Sequence, residues 1–356
     1  MIVEMTQMQA AKELVSKNLI DVALKNVRRR FLDLTSRQFA ADSFEFDTVK
    51  YRAKRVFDDT VTGGKNSRSM LALQAFRALN PKAETAEMHR MAELAALLEM
   101  IQGFYIIIDD VMDGAETRRG KPCWYKNADI GLSAVNDALL LDVFVDDIIR
   151  ELYPEHPQVD RLCSAYQKSK RATVIGQLLD TASVRDINAF TWDRYEQLVA
   201  FKTSHYTYFH PIEMAMLVSD RLDNHSLLRQ LAYRIGFLFQ SQDDALDVFG
   251  DPTLTGKVGT DIQDGKCTWI SVRAVQKLQG KPELDDFRKH YGSPDEASVK
   301  RIKVLIEQLR LREEFLNFEK RYSEKVKTDI DQVPEHLSAL KPVLYDAVNS
   351  LIERKK

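Results

Sequence analysis

Apolar residues recur at intervals of three and four along almost the whole chain, the spacing that lays a stripe down one side of an α-helix. The pattern predicts helices over 9–36, 45–57, 67–79, 84–112, 133–152, 158–182, 191–219, 225–249, 267–278, 284–290, 295–309, 311–328 and 336–354. The breaks between them hold residues that end helices: Thr62-Gly63-Gly64, Asn80-Pro81, the polar run from Thr117 to Pro122, Pro154 with Pro157, and a long glycine-bearing loop from Gly250 to Gly265. No period-two alternation persists, no fixed repeat recurs and no compositional shift marks a linker. One all-α domain over 1–356 is the expectation. The stretch from Met91 to Ile108 is apolar on nearly every side, as in a helix buried all round. Glu93, Glu99 and Gln102 within it, and the aspartates that follow, argue against a bilayer span.

Composition supports the helical reading. Only 14 Gly and 10 Pro interrupt 356 residues. The 51 Lys and Arg nearly cancel 53 Asp and Glu, which lacks the basic excess of a nucleic-acid binder. Cys123, Cys163 and Cys267 are too few and scattered for a disulfide framework or a zinc cluster. They suit a reducing compartment, with the cytoplasm as first expectation and the mitochondrion as second. An N-terminal amphipathic segment ending in Arg28-Arg29-Arg30 has the outline of a transit helix. Glu4, Glu13 and Asp21 inside it favour a plain first helix, since transit peptides are poor in acids.

Two acidic clusters stand out. Asp109-Asp110-Val111-Met112-Asp113 ends one apolar helix, and Asp243-Asp244-Ala245-Leu246-Asp247 ends another. In each, the first and last Asp are one turn apart on one face and repel each other. They also continue apolar rows, Ile101-Tyr105-Asp109-Asp113 and Ile235-Phe239-Asp243-Asp247, so each carboxylate pair follows an inward-facing stripe that demands a counter-charge. A solvated helix end explains one such cluster as well as function does; two of identical spacing favour function. Aspartates offer hard oxygen ligands, and His205 and His210 lack zinc spacing, so Mg²⁺ fits best. Mg²⁺ commonly shares its shell between one or two carboxylates and phosphate oxygens. Facing acidic helix ends therefore suggest a polyphosphate held through several ions.

Basic residues fit this reading. Gly63-Gly64-Lys65-Asn66-Ser67-Arg68 opens a helix after a glycine pair, a natural phosphate seat. Arg118-Arg119 follows the first cluster, Lys257 and Lys266 lie in or just beyond the loop after the second, and Lys202 stands beside Thr203. Each alone reads as a surface cation. Together they supply one set for a metal-bound phosphate and another, Lys65, Arg68 and Arg119, for a second phosphate held directly.

These motifs resemble the trans-isoprenyl diphosphate synthase family, with its farnesyl diphosphate branch as the nearest pattern. The resemblance runs over nearly the whole chain, through 63–68, Gln102, the first acidic motif with Arg118-Arg119-Gly120 and Cys123-Trp124-Tyr125, residues 130–141, Ile175-Gly176-Gln177, Lys202-Thr203, Phe239-Gln240, residues 255–269 and the basic end Arg354-Lys355-Lys356. It implies about ten core helices around a central cavity, and a homodimer. It implies Asp109, Asp113 and Asp243 as ligands of three Mg²⁺ ions, with Mn²⁺ or Co²⁺ as substitutes, and Asp110, Asp244 and Asp247 completing the metal site. Arg118, Lys202, Lys257, Asp261 and Lys266 would serve an allylic diphosphate. Gly64, Lys65, Arg68, Gln102 and Arg119 would hold isopentenyl diphosphate, under a tail containing Arg354. The Lys202 carbonyl, Thr203 and Gln240 would stabilise the allylic cation. Phe104 and Tyr105, which on spacing alone read as core, would floor the chain-length pocket, with fifteen carbons as first expectation and ten as second. Ser204, His205, His210, Glu213, Ile108, Ala245 and Val174 depart from the family's usual pattern, by drift or by a reshaped cavity. Some insect terpene synthases resemble this family and ionise then cyclise their substrate; the retained Lys65, Arg68, Gln102 and Arg119 favour chain elongation here. A helical scaffold binding cations structurally would leave that second basic set unexplained.

Overall fold

The structure is a computed structural model that describes residues 2–251 and 259–352, with side chains from Lys17 onward. It is all-α, as expected. The helices are α1 (Ile2–Ser36), α2 (Phe44–Val56), α3 (Ser67–Leu79), α4 (Thr85–Asp113), α5 (Ala134–Val143), α6 (Val145–Leu152), α7 (Val159–Ser183), α8 (Trp192–Val199), α9 (His210–Val218) and α10 (His225–Phe249), followed by the short α11 (Asp261–Asp264), α12 (Trp269–Leu278), α13 (Glu283–His290), α14 (Glu296–Gln308), α15 (Leu311–Asp331) and α16 (Lys341–Ile352).

Local chemistry sets many of the ends. Ser43, Thr191 and Asp295 accept a backbone N–H in the first turns of α2, α8 and α14, and Thr268 with Ser271 forms a reciprocal capping pair on α12. Several of the described segments differ from the periodicity, among them the π-helical turn Phe57–Val61 that continues α2. The helix expected over 133–152 breaks at Phe144, and a 3₁₀ turn (Glu335–Leu340) precedes α16. The helix expected over 191–219 contains a ten-residue π-helical segment, Ala200–Phe209, between α8 and α9. Period-3.6 reasoning does not detect a π-helix, because the apolar spacing persists while the backbone widens. A two-stranded hairpin, β1 (Thr117–Arg118) with β2 (Lys121–Pro122), occupies the polar run after α4 and was not expected.

The described residues fall into two compact units that alternate along the sequence. One comprises Met1–Gln167 and His210–Asp223, the other Lys168–Phe209 and Asn224–Lys356. In the first, α4 packs against α1, α3, α5, α6 and α9. Met91, Leu94, Leu97 and Met100 of α4 are wholly buried. By length and composition α4 could cross a membrane, but 72% of its most apolar stretch is covered by protein. In the second unit, α10 packs against the π-helical segment, α12 and α15. Its core is aromatic, with Tyr195, Trp269, Phe287 and Phe315 among the buried residues.

Candidate active site

In the first unit the acidic motif occupies the last turn of α4. Gly114, in the left-handed conformation (φ 65°), ends the helix. The chain then enters the hairpin, whose turn residues Arg119 (φ 53°) and Gly120 (φ 74°) are both left-handed. This is the primed turn that matches strand twist, although Arg at its first position is strained. The turn sends Arg118 back to the motif. Its Nε and Nη2 donate to Asp110 Oδ1 at 2.9 and 2.5 Å, and its Nη2 stands 3.4 Å from Asp109 Oδ2. Asp110 is 1% exposed. Burial pushes its carboxyl above the usual range and Arg118 pulls it partly back. For Arg118 itself, burial is the largest influence and opposes the charge, but the bond to Asp110 and the charges of Asp110 and Asp109 together raise it. The neighbouring Cys123 thiol is pushed up to about 12 by burial and by Asp110. Asp110 is thus an internal anchor for Arg118. Asp109 is half-buried and Asp113 exposed.

The second basic set gathers at the start of α3. Asn66, left-handed (φ 53°), precedes the helix and makes no side-chain cap bond. No acidic residue lies in the first turn; Arg68 stands there, and Lys65 lies just before the cap. Cations at the positive end of a helix are unfavourable, and an anion bound there would relieve the cost. Arg119 joins this group: its Nη1 donates to the Thr62 carbonyl at 3.3 Å, and a Cβ at Gly64 would meet its Nη2 at 3.1 Å. Burial lowers Arg119, the charge of Glu99 raises it, and those of Arg118 and Arg68 lower it again. Glu99, 2% exposed, accepts from Ser69 Oγ at 2.8 Å. Glu99 as a buried counter-charge was missed by the sequence reasoning, which used it only against a membrane span. Its signal was a carboxylate in an otherwise apolar helix. Gln102 is half-buried on α4. Phe104 and Tyr105 are half-buried neighbours, with ring centroids 5.2 Å apart.

In the second unit the π-helical segment carries Lys202 and Thr203, pressed between α7 and α10. A Cβ on Gly176 of α7 would fall 2.3 Å from the Lys202 backbone nitrogen, and one on Gly236 of α10 would fall 2.6 Å from Ser204 Cα. Only glycine permits these approaches. Lys202 Nζ donates to Asp180 Oδ2 at 2.5 Å, and Lys266 Nζ lies 3.9 Å from the same oxygen. Asp180, 5% exposed, gathers two lysines distant in sequence, which no local pattern reveals. Thr203 Oγ1 donates to Gln240 Oε1 at 2.6 Å, and Gln240 Nε2 donates to Asp244 Oδ1 at 2.9 Å. Asp244 Oδ2 accepts from Tyr195 OH at 2.6 Å and from the Trp269 amide at 2.8 Å. Burial pushes Asp244 up to about 6, against the pull of these donors. The two oxygens of Asp247 accept the amides of Thr260 at 3.2 Å and Asp261 at 3.0 Å, securing the return of the loop. Asp243 is half-buried.

Asp110 and Asp244 are buried and already surrounded by protein donors, and Asp247 holds backbone amides. Asp109, Asp113 and Asp243 keep the more accessible positions. Among the described residues, no three of His, Cys, Asp or Glu converge on a protein-only metal site. That donor set suits a hard cation that takes few carboxylates and shares its shell with phosphate oxygens. Lys257 and Arg354 lie outside the described residues. Of the departures, Ser204 packs on Gly236, His205 Nδ1 meets Tyr233 OH at 2.7 Å, and His210 lies edge-on to Tyr166 with ring centroids 4.5 Å apart. His210 Nδ1 is 3.8 Å from Glu213 Oε2. Ala245 is buried in the aromatic core, Ile108 is half-buried, and Val174 is exposed.

The chain matches the polyprenyl synthetase family model over residues 51–309. It is 35% identical to farnesyl pyrophosphate synthase of Rattus norvegicus over 314 residues, covering 86% of this chain and 88% of that one. It is 31% identical to farnesyl pyrophosphate synthase 1 of Cannabis sativa over 343 residues, covering 94% and 100%. The structure of T. brucei farnesyl diphosphate synthase complexed with risedronate superposes with a TM-score of 0.88 at 28% identity, covering 96% of this chain and all of that one. A family match across most of the sequence, relatives above 30% identity and a shared helical fold converge: this chain is a prenyltransferase belonging to the polyprenyl synthetase family.

Proposed function

We propose that the chain joins isopentenyl diphosphate head to tail with dimethylallyl and then geranyl diphosphate, giving farnesyl diphosphate. The observation that carries this reading is the second anion seat, where Arg119 and Gly64 meet beside Lys65 and Arg68. Two-substrate condensation needs two diphosphate sites; cyclisation of one prenyl diphosphate needs one.

Asp109, Asp113 and Asp243 would hold Mg²⁺, three ions in all, with Mn²⁺ or Co²⁺ as substitutes. When bound, the ions supply Lewis-acid charge to the departing diphosphate. Arg118, Lys202 and Lys266 add fixed positive charge for the same leaving group, the two lysines aligned by Asp180. As the allylic C–O bond breaks, the Lys202 carbonyl, the Thr203 hydroxyl and Gln240 offer oxygen lone pairs to the developing cation. Lys65, Arg68, Gln102 and Arg119 hold isopentenyl diphosphate so that its double bond attacks that carbon, after which one proton leaves to the released diphosphate. Phe104 and Tyr105 limit the growing chain.

The two compact units serve as one prenyltransferase domain over 1–356. A homodimer is supported by the exposed apolar row of Leu132, in the turn before α5, and Val135, Leu139 and Val143 along α5. A cytoplasmic setting is supported by three buried free thiols. Incubation with dimethylallyl and isopentenyl diphosphates and Mg²⁺, followed by chromatography of the dephosphorylated products, should yield a fifteen-carbon alcohol. A hydrocarbon formed from farnesyl diphosphate alone, or no elongation at all, would overturn the reading.

A further inference from the structure

The second aspartate of the second motif is 4% exposed and accepts three hydrogen bonds, from Tyr195 OH, the Trp269 amide and Gln240 Nε2. An ionised carboxylate can only accept. The Gln240 amide must therefore turn its NH₂ toward Asp244, which leaves its carbonyl oxygen toward Thr203. That oxygen also only accepts, so the Thr203 proton is committed to it, across 2.6 Å. The chain of donors thus has one possible direction: Thr203 to Gln240 to Asp244. Its consequence is a Thr203 oxygen with lone pairs, not a hydrogen, for any neighbour outside the chain. A cation is stabilised by lone pairs and destabilised by a hydroxyl proton aimed at it, so this direction decides whether Thr203 helps or hinders ionisation.

We propose that Asp244 is a positioning residue that sets the polarity of Gln240 and Thr203 toward the allylic cation, with Tyr195 fixing Asp244, and that it is not a metal ligand. This rests on the prenyl-transfer reading above. It divides the motif by role: Asp243, half-buried, serves metal, while Asp244, next in sequence, is turned about 100° around the helix axis, is buried and serves the hydrogen-bond chain. The buried Tyr195 belongs to the reaction through that chain, although it lies outside every acidic or basic motif.

The test compares Asp244→Asn, Tyr195→Phe, Thr203→Val and Asp243→Asn. Turnover is measured at saturating substrates, and calorimetry measures the affinity for pyrophosphate in the presence of Mg²⁺. An amide at 244 can donate as well as accept, which releases the Gln240 orientation. Asp244→Asn should lower kcat about 10²-fold, the scale of losing one oriented group, with Mg²⁺–pyrophosphate affinity held within about twofold. Asp243→Asn should weaken that affinity at least tenfold, by analogy with the loss of a metal-site group. Tyr195→Phe keeps the carboxylate, guards against misfolding of the Asn variant, and should lower kcat without changing metal affinity. Asp244→Asn combined with Thr203→Val should be no slower than the slower single variant, since both act through one hydroxyl. Metal affinity lost equally in Asp244→Asn and Asp243→Asn, or full turnover in Asp244→Asn, would overturn the proposal. The Gln240 side-chain amide in ¹⁵N-glutamine-labelled protein gives a readout independent of turnover: its protons should be shifted downfield and slow to exchange, and lose both properties in Asp244→Asn. Should the wild type bind pyrophosphate but make no product, the prenyl-transfer reading fails while the amide spectrum still decides the orientation.

Discussion

Gly176→Ala tests how the π-helical segment is held. The added Cβ would stand 2.3 Å from Lys202 N, 2.5 Å from Lys202 Cα and 2.6 Å from Phe201 C, all backbone atoms without a rotamer to yield. Reaching an ordinary contact distance requires α7 and the segment to separate by roughly 1 Å. Overpacking of this kind costs about 1–3 kcal/mol, offset by up to about 1 kcal/mol from the better helix propensity of Ala. The expected net loss is a modest 1–2 kcal/mol or so, seen as a Tm lowered by several degrees. Activity should suffer more. The same displacement moves the Lys202 carbonyl and Thr203, and pulls Lys202 from Asp180, now 2.5 Å away. A misplacement of that size can cost about 10²-fold in rate. Steady-state kinetics and thermal denaturation on one preparation separate the two effects. Gly103→Ala is the comparison: its Cβ would meet only side-chain atoms, at 3.2–3.3 Å, so a smaller thermal effect is expected. Wild-type turnover and Tm in Gly176→Ala would refute the close-contact argument.

Arg118→Met should destabilise the protein by about 3 kcal/mol in urea unfolding, because Asp110 is left buried without its cation. The double variant with Asp110→Asn should recover part of the loss, and strict additivity would show that the pair is not coupled. Asp109→Ala and Asp243→Ala should each reduce turnover at least about 10²-fold while Tm stays level or rises, since a like-charge repulsion is relieved; full activity in either would remove that aspartate from the mechanism. Phe104→Ala with Tyr105→Ala should shift the products beyond fifteen carbons, and an unchanged product chromatogram would remove both rings from chain-length control.

What the sequence determined by itself was whatever depends on short-range periodicity and composition. The apolar spacing predicted the long helices, with ends mostly within a few residues of those observed, because a helix buries a stripe that its own residues define. The two DDxxD clusters and the basic loop at 63–68 were legible for the same reason: their residues adjoin in sequence. The π-helical turn at 200–209 was hidden, since it keeps the apolar spacing and differs only in backbone hydrogen bonding. Roles within the motifs were equally hidden. Asp109 and Asp110 are adjacent and chemically identical, yet one reaches the accessible side of α4 while the other is covered with Arg118. Asp180, which gathers Lys202 and Lys266, and Tyr195, which fixes Asp244, are defined by partners tens of residues away. Only the tertiary structure decides such roles, because burial and long-range hydrogen bonds, not residue type, settle whether a carboxylate anchors its neighbours or remains accessible to a ligand.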